Sequence, residues 1–188
     1  MFKKIKEFIF NNIAKKRLTA IKRNRKFVNY NNAKSIFILF ESDLSEKNQT
    51  IRKIIRALQQ DNKKVTAWGY INKKEVSTAI LPDFRILHHK QTNLFLKPDS
   101  THLTELENIE FDLLIDLSLN PNLTLQYISL YANALCKVGV RNLEPQIYDF
   151  IIDIENLRNR ADSDEETIDE TYLFKQIIFY LKSIQSND

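Results

Sequence analysis

The chain has 188 residues, a mass of 22.2 kDa and a formal net charge of +4, with 43% hydrophobic and 28% charged residues. This is a globular composition, and at this length a core forms without disulfide or metal support. One cysteine, Cys136, excludes an intrachain disulfide and a CxxC metal knuckle, and two glycines, Gly69 and Gly139, exclude the glycine-rich phosphate loops G-x-G-x-x-G and G-x-x-x-x-G-K-[ST].

Residues 2–27 read as helix. Neither Gly nor Pro interrupts them, and Phe2, Ile5, Ile9 and Ile13 recur at helical spacing along one face. Beyond Asn11-Asn12 the apolar stripe drifts to Ala14, Leu18 and Ile21. This head carries most of the positive charge. Residues 1–26 hold ten cations, namely Lys3, Lys4, Lys6, Lys15, Lys16, Arg17, Lys22, Arg23, Arg25 and Lys26, against one acid, Glu7. The remainder of the chain is net acidic. The start looks like a signal peptide, but Asn11-Asn12 breaks its apolar stretch and Lys15-Lys16-Arg17 follows, so no secretory signal is expected.

Ser35–Glu41 is a continuous apolar run, the mark of a strand buried on both faces. Ser45 to Gln60 follows as an amphipathic helix with Ile51, Ile54, Ile55 and Leu58 inward and Ser45 as its cap. Lys64–Ile71 is a second strand, Glu75–Ile80 a short helix ending before Pro82, and Arg85–His89 a third strand. Pro98-Asp99-Ser100 opens a helix over Thr101–Asn108, and Phe111–Ser118 is a clear fourth strand. A helix is expected over Leu123–Leu135, then strands at Cys136–Val140 and Tyr148–Ile154. After a polar loop at Asn156–Asp164, Ser163-x-x-Glu166 forms a capping box for a last helix reaching Ile184. No apolar run approaches the ~18 residues that span a bilayer.

Buried strands alternating with helices specify an α/β fold: a Rossmann-like three-layer sandwich with a mostly parallel sheet of five or six strands, preceded by a basic amphipathic helix. The expected division is a head at 1–30 and a single domain at 34–188. Ligands of such sheets bind beyond the carboxyl ends of the strands, where strand order reverses. With the order 3-2-1-4-5 that point holds Glu41, Ser42, Asp43, Asp116, Ser118 and Asn120. These groups suit hydroxyl-rich or cationic ligands better than phosphate. An Asp at a strand end also serves as a cap, so if Asp116 is buried and hydrogen-bonded within the fold, the reading of these residues as one ligand site fails.

His88-His89 are neighbours on a strand and point to opposite faces, and His102 is distant in sequence, so no metal is expected. Nor is a cofactor expected. Cys136 reads as a buried inert thiol, and Trp68, Tyr70, Tyr127 and Tyr131 as core aromatics. Three readings of the head stay open. Its cations form a solvated face while the helix docks on the domain or on a second copy. Or Phe2, Ile5, Phe8, Ile9, Phe10 and Ile13 enter an anionic membrane surface. Or the cations meet nucleic-acid phosphates. The six acids of Asp162–Glu170 either fold back on the head or start the last helix. The expected compartment is the cytoplasm, with peripheral membrane attachment under the second reading.

Phe111-Asp-Leu-Leu-Ile-Asp-Leu-Ser with its following helix, Lys137-Val-Gly-Val, Asn32-Ala-Lys-Ser, Gly69-Tyr70 and Leu125-Gln-Tyr-Ile resemble a Bacteroidetes family of small proteins of unknown function. That resemblance covers nearly the whole chain and implies no activity. Over about residues 35–142 the same strand–helix–strand pattern is similar to the N-terminal half of heptosyltransferase-type glycosyltransferases. Those enzymes carry a glycine after the first strand, where this chain has Phe40-Glu-Ser-Asp-Leu-Ser, and use a second Rossmann domain. No motif assigns an activity. The first expectation is a non-enzymatic binding or scaffold module working through its head. The alternative is a small-ligand or degenerate transferase domain using the strand-end cleft.

Overall fold

The computed structural model describes residues 2–73, 83–140, 145–154 and 168–184. Six parallel strands form one sheet: β1 (Ser35–Glu41), β2 (Lys64–Ile71), β3 (Arg85–His88), β4 (Glu110–Asp116), β5 (Asn133–Val140) and β6 (Phe150–Ile152). Their order is β3-β2-β1-β4-β5-β6, so the direction of winding reverses between β1 and β4. The described helices are α1 (Phe2–Ala20), α2 (Glu46–Gln60), α3 (Ser100–Glu107), α4 (Leu123–Tyr131) and α5 (Glu170–Ser183). The fold class is the expected α/β parallel sheet with an N-terminal helix. The expected helix at Glu75–Ile80, the polar loop at 156–164 and the capping box at Ser163 lie outside the described residues.

β1 alternates sides, as a strand must. Ile36, Ile38 and Phe40 pack on one face with α2 (Ile51, Ile55, Leu58) and α5 (Leu173, Ile177, Leu181). Phe37 and Leu39 pack on the other with Leu106 of α3 and Leu125 and Ile128 of α4. Both glycines sit inside strands at negative φ, and their role is space. A Cβ on Gly69 would lie 2.7 Å from Ile86 Cδ1 and from the Phe40 ring. A Cβ on Gly139 would lie 2.8 Å from Cε2 and Cζ of Tyr148.

Several boundaries differ from expectation: β3 ends at His88, β4 ends at Asp116, β6 is confined to Phe150–Ile152, and α5 begins at Glu170 with Asp169 as its cap. α4 stops at Tyr131, and β5 begins at Asn133 because Asn133 and Ala134 pair with Glu110 and Phe111 of β4. Sheet pairing there overrides a helix that local pattern would extend. α2 is not capped by the Ser45 side chain. Asp43 does that work, accepting from Ser45 N (2.8 Å) and Lys47 N (3.3 Å). α1 ends at Ala20, well short of 27, and a segment without regular secondary structure, turning at residues 30–32, continues to β1.

The docking face of α1 is also corrected. Phe10 and Ala14 are fully buried, against Tyr127 and Leu130 of α4 and against Ile147, with Ile13 and Leu18 at the margin. The Phe10 and Tyr127 rings meet edge-on at 4.8 Å. Phe2, Ile5 and Phe8 remain exposed. The seam pairs a large ring with a small residue one turn on, which lets the helices approach closely. With the sheet beneath it and α1 above it, α4 is buried from Thr124 through Leu130, which explains its lack of a polar face.

Candidate functional site

The carboxyl end of the sheet at the β1–β4 reversal carries a cavity of about 700 Å³. Its floor comes from Glu41 at the end of β1 and from Tyr70 and Asn72 at the end of β2. Asn120, Pro121 and Asn122 before α4 form one side, with Leu96 and Leu123 beside them. The first two turns of α1 supply the opposite wall through Phe2, Lys3, Lys6 and Glu7. Leu96 holds a left-handed backbone at φ 63° and is pinned by its carbonyl, which accepts from Thr124 Oγ1 at 3.0 Å.

Of the six residues expected at this point, Glu41 and Asn120 line the cavity. Asn122 Nδ2 donates to Glu41 Oε1 at 3.0 Å and so fixes the carboxylate. Asn122 Oδ1 meanwhile accepts from Thr124 N and Leu125 N, filling the N-terminus of α4 with its own cap. Ser42 is buried, donating its hydroxyl to Asn48 Oδ1 at 2.9 Å. Asp43 is the α2 cap. Partial burial works against its ionisation, yet the N–H groups of Ser45 and Lys47 outweigh that and hold its carboxyl below the usual range.

Asp116 is 4% exposed and accepts from Ser118 N at 2.9 Å and from the Tyr148 hydroxyl at 2.5 Å. It ties β4 to the chain entering β6. Burial pushes its pKa up against these two bonds, and the Glu41 charge pushes the same way. Ser118 is buried beside it, its hydroxyl without a partner. Asp116 is thus a strut in the described fold, neither it nor Ser118 lines the cavity, and the six expected residues do not converge on one pocket.

Sequence reasoning placed Tyr70 in the core and passed over Asn72 and Asn122. Tyr70 is 4% exposed, and burial raises its hydroxyl pKa. The Thr92 and Thr124 hydroxyls stand near it and pull the other way; each donates to a carbonyl, which leaves its oxygen free to accept from the phenol. A mixed alternation in β2 carried no sign of this, because an aromatic at a strand end reads as core.

The cations of the head divide into two groups. Arg17 pairs with Glu107 and lies 3.7 Å over the Tyr131 ring. Arg23 pairs with Asp149 and donates to Ala134 O at 2.7 Å. These two clamp the head to the domain, and Arg25 lies 3.8 Å from the same Asp149. Lys3, Lys4, Lys15, Lys16, Lys22 and Lys26 are exposed, and Lys6 is half-buried.

Beside the clamps is a groove of about 470 Å³ lined by Arg17, Lys22, Arg23, Arg25 and the buried Lys137. Lys137 donates to Ser129 O at 2.5 Å, satisfying a carbonyl of the last turn of α4. Burial, with Arg23 nearby, pulls its pKa well down. A lone lysine between Cys136 and Val138 was the available sign of this group.

Among the described residues no group of three or more His, Cys, Asp or Glu is arranged to hold a metal. His102 packs edge-on to Trp68, and burial, then Arg85, lowers its pKa. Cys136 is 1% exposed, and burial pushes its thiol up to about 11. Among the described residues no helix is long and apolar enough to cross a membrane. No curated protein and no solved structure matches the chain. One family model does match, over residues 6–184, and the chain therefore belongs to that family of unknown function, DUF6913.

Proposed function

We propose that this protein is a non-enzymatic α/β binding module that attaches to an anionic membrane surface through the first two turns of α1. The observation that carries this reading is the exposure of Phe2, Ile5 and Phe8, at 81%, 44% and 66%. The fold does not need them, because Phe10 and Ala14 already dock the helix. Lys4, Lys15 and Lys16 share the exposed side. An apolar tip on a basic helix face suits a bilayer interface, where rings enter below the headgroups and ammonium groups meet phosphates. Each large apolar side chain so buried contributes about 1.5–3 kcal/mol. Each lysine near the anionic surface adds about 1 kcal/mol.

The test is co-sedimentation with phosphatidylcholine vesicles, with and without phosphatidylserine. Binding is expected only with the anionic lipid, weakening as salt rises. The double variant Ile5→Ser/Phe8→Ser should reduce it about tenfold or more. Its urea midpoint should stay at the wild-type value, since both residues are exposed. Absence of vesicle binding, or binding untouched by the variant, refutes the reading. A concentration-dependent dimer abolished by the same variant would assign the patch to a second copy. RNA retardation lost on removing the lysines would assign it to nucleic acid.

A further inference from the structure

We infer that the cavity at the β1–β4 reversal is a binding site for a neutral polyhydroxylated ring, a sugar or cyclitol. This goes beyond the surface reading of α1 and stands or falls separately from it. The first ground is the donor set. Glu41, Asn72, Asn120 and Asn122 line the cavity together with Tyr70. Amides and hydroxyls both donate and accept, and a carboxylate accepts from two vicinal hydroxyls. The second ground is charge. Lys3, Lys6 and Glu7 on one wall face Glu41 on the other, so two cations meet two carboxylates. An anion gains nothing net there, and the N–H groups at the start of α4 are already taken by Asn122. Leu96, Pro121 and Leu123 give the apolar wall against which the C–H face of a ring packs.

The third ground is size. The volume, about 700 Å³, falls within the range of small-molecule sites.

The source of the ring is either free saccharide or the headgroup of a glycolipid, because α1 supplies both a cavity wall and the exposed apolar tip. Saturation-transfer NMR on the full chain with maltose and with myo-inositol examines the free form. Sedimentation with phosphatidylcholine vesicles, with and without glucosyl diacylglycerol, examines the headgroup. Signal in either arm is expected, and which arm responds identifies the source. Asn120→Ala and Asn72→Ala should each weaken binding about tenfold while leaving the melting temperature close to the wild-type value. Ile5→Ser/Phe8→Ser should leave the saccharide signal intact, which keeps this result distinct from the membrane reading. No transfer from either sugar at tens of millimolar, together with no gain from the glycolipid, overturns the proposal. Binding indifferent to both cavity variants overturns it as well.

Discussion

Gly139→Ala offers a sharp check on how the sheet is joined at its β5–β6 edge. The added methyl would stand 2.8 Å from Cε2 and Cζ of Tyr148 and 3.0 Å from Cδ2. Carbon atoms rest at about 3.5–4.0 Å, so the ring must retreat by roughly 0.7–1.2 Å. The ring cannot retreat freely, because its hydroxyl is 2.5 Å from Asp116 Oδ2. Overpacking of this kind costs about 1–3 kcal/mol. Loss of the bond to a buried carboxyl adds about 1.5–3 kcal/mol. The stiffer alanine backbone returns about 0.5–1 kcal/mol. The net expectation is a loss of about 2–5 kcal/mol.

Urea unfolding followed by far-ultraviolet circular dichroism and by Trp68 fluorescence measures this, with a constant denaturant slope confirming that only stability has changed. Tyr148→Phe should lose about 1.5–3 kcal/mol on its own, through the hydroxyl alone. In a Tyr148→Leu background the cost of Gly139→Ala should fall below about 1 kcal/mol, because the clash and the bond share one residue. The reasoning fails if Gly139→Ala stays within about 0.5 kcal/mol of wild type, or if its cost is the same in the Tyr148→Leu background.

Two further outcomes follow from buried and half-buried charges. Asp112 accepts from Lys34 N (2.7 Å) and Ser35 N (2.8 Å), and although partial burial opposes ionisation, these bonds hold its pKa below the ordinary 3.8. Its stabilisation is therefore present above the unfolded pKa and lost as pH falls through the lower folded value. Asp112→Asn should cost about 1–2 kcal/mol at neutral pH and flatten the acid limb of the stability curve. For Lys137 the folded pKa lies below the unfolded one, so the folded state holds fewer protons and wild-type stability rises as pH climbs toward the ordinary 10.5. Lys137→Met should remove that rise on the approach to the ordinary lysine range, and cost less than about 1.5 kcal/mol at neutral pH, both read by urea unfolding.

Several elements were legible before any tertiary information. Ser35–Glu41 was apolar throughout, which requires burial on both faces and hence helices on both sides. The two-glycine count pointed away from phosphate loops, and both glycines turn out to serve close packing within strands. The location of the cavity followed from strand order, and Glu41 and Asn120 line it. Asp116 shares their sequence signature yet faces the Tyr148 hydroxyl inside the fold. A polar residue at a strand end looks the same whether it meets solvent or a partner more than thirty residues away.

The head shows the division most plainly. Its helical character and its ten cations are properties of local spacing and composition, and the sequence alone determined them. Periodicity selected the face of Phe2, Ile5, Ile9 and Ile13, but the helix docks through Phe10 and Ala14 beside it. The surface of α4 made that choice. Tyr127 and Leu130 receive Phe10 and Ala14, while Glu107 and Tyr131 receive Arg17. Phe2, Ile5 and Phe8 are thereby left outside, and Arg17 and Arg23 become clamps. Local sequence determines that a segment is helical and charged. Which of its faces is spent on the fold depends on the shape of the partner it packs against, and that partner is assembled from residues far away in the chain.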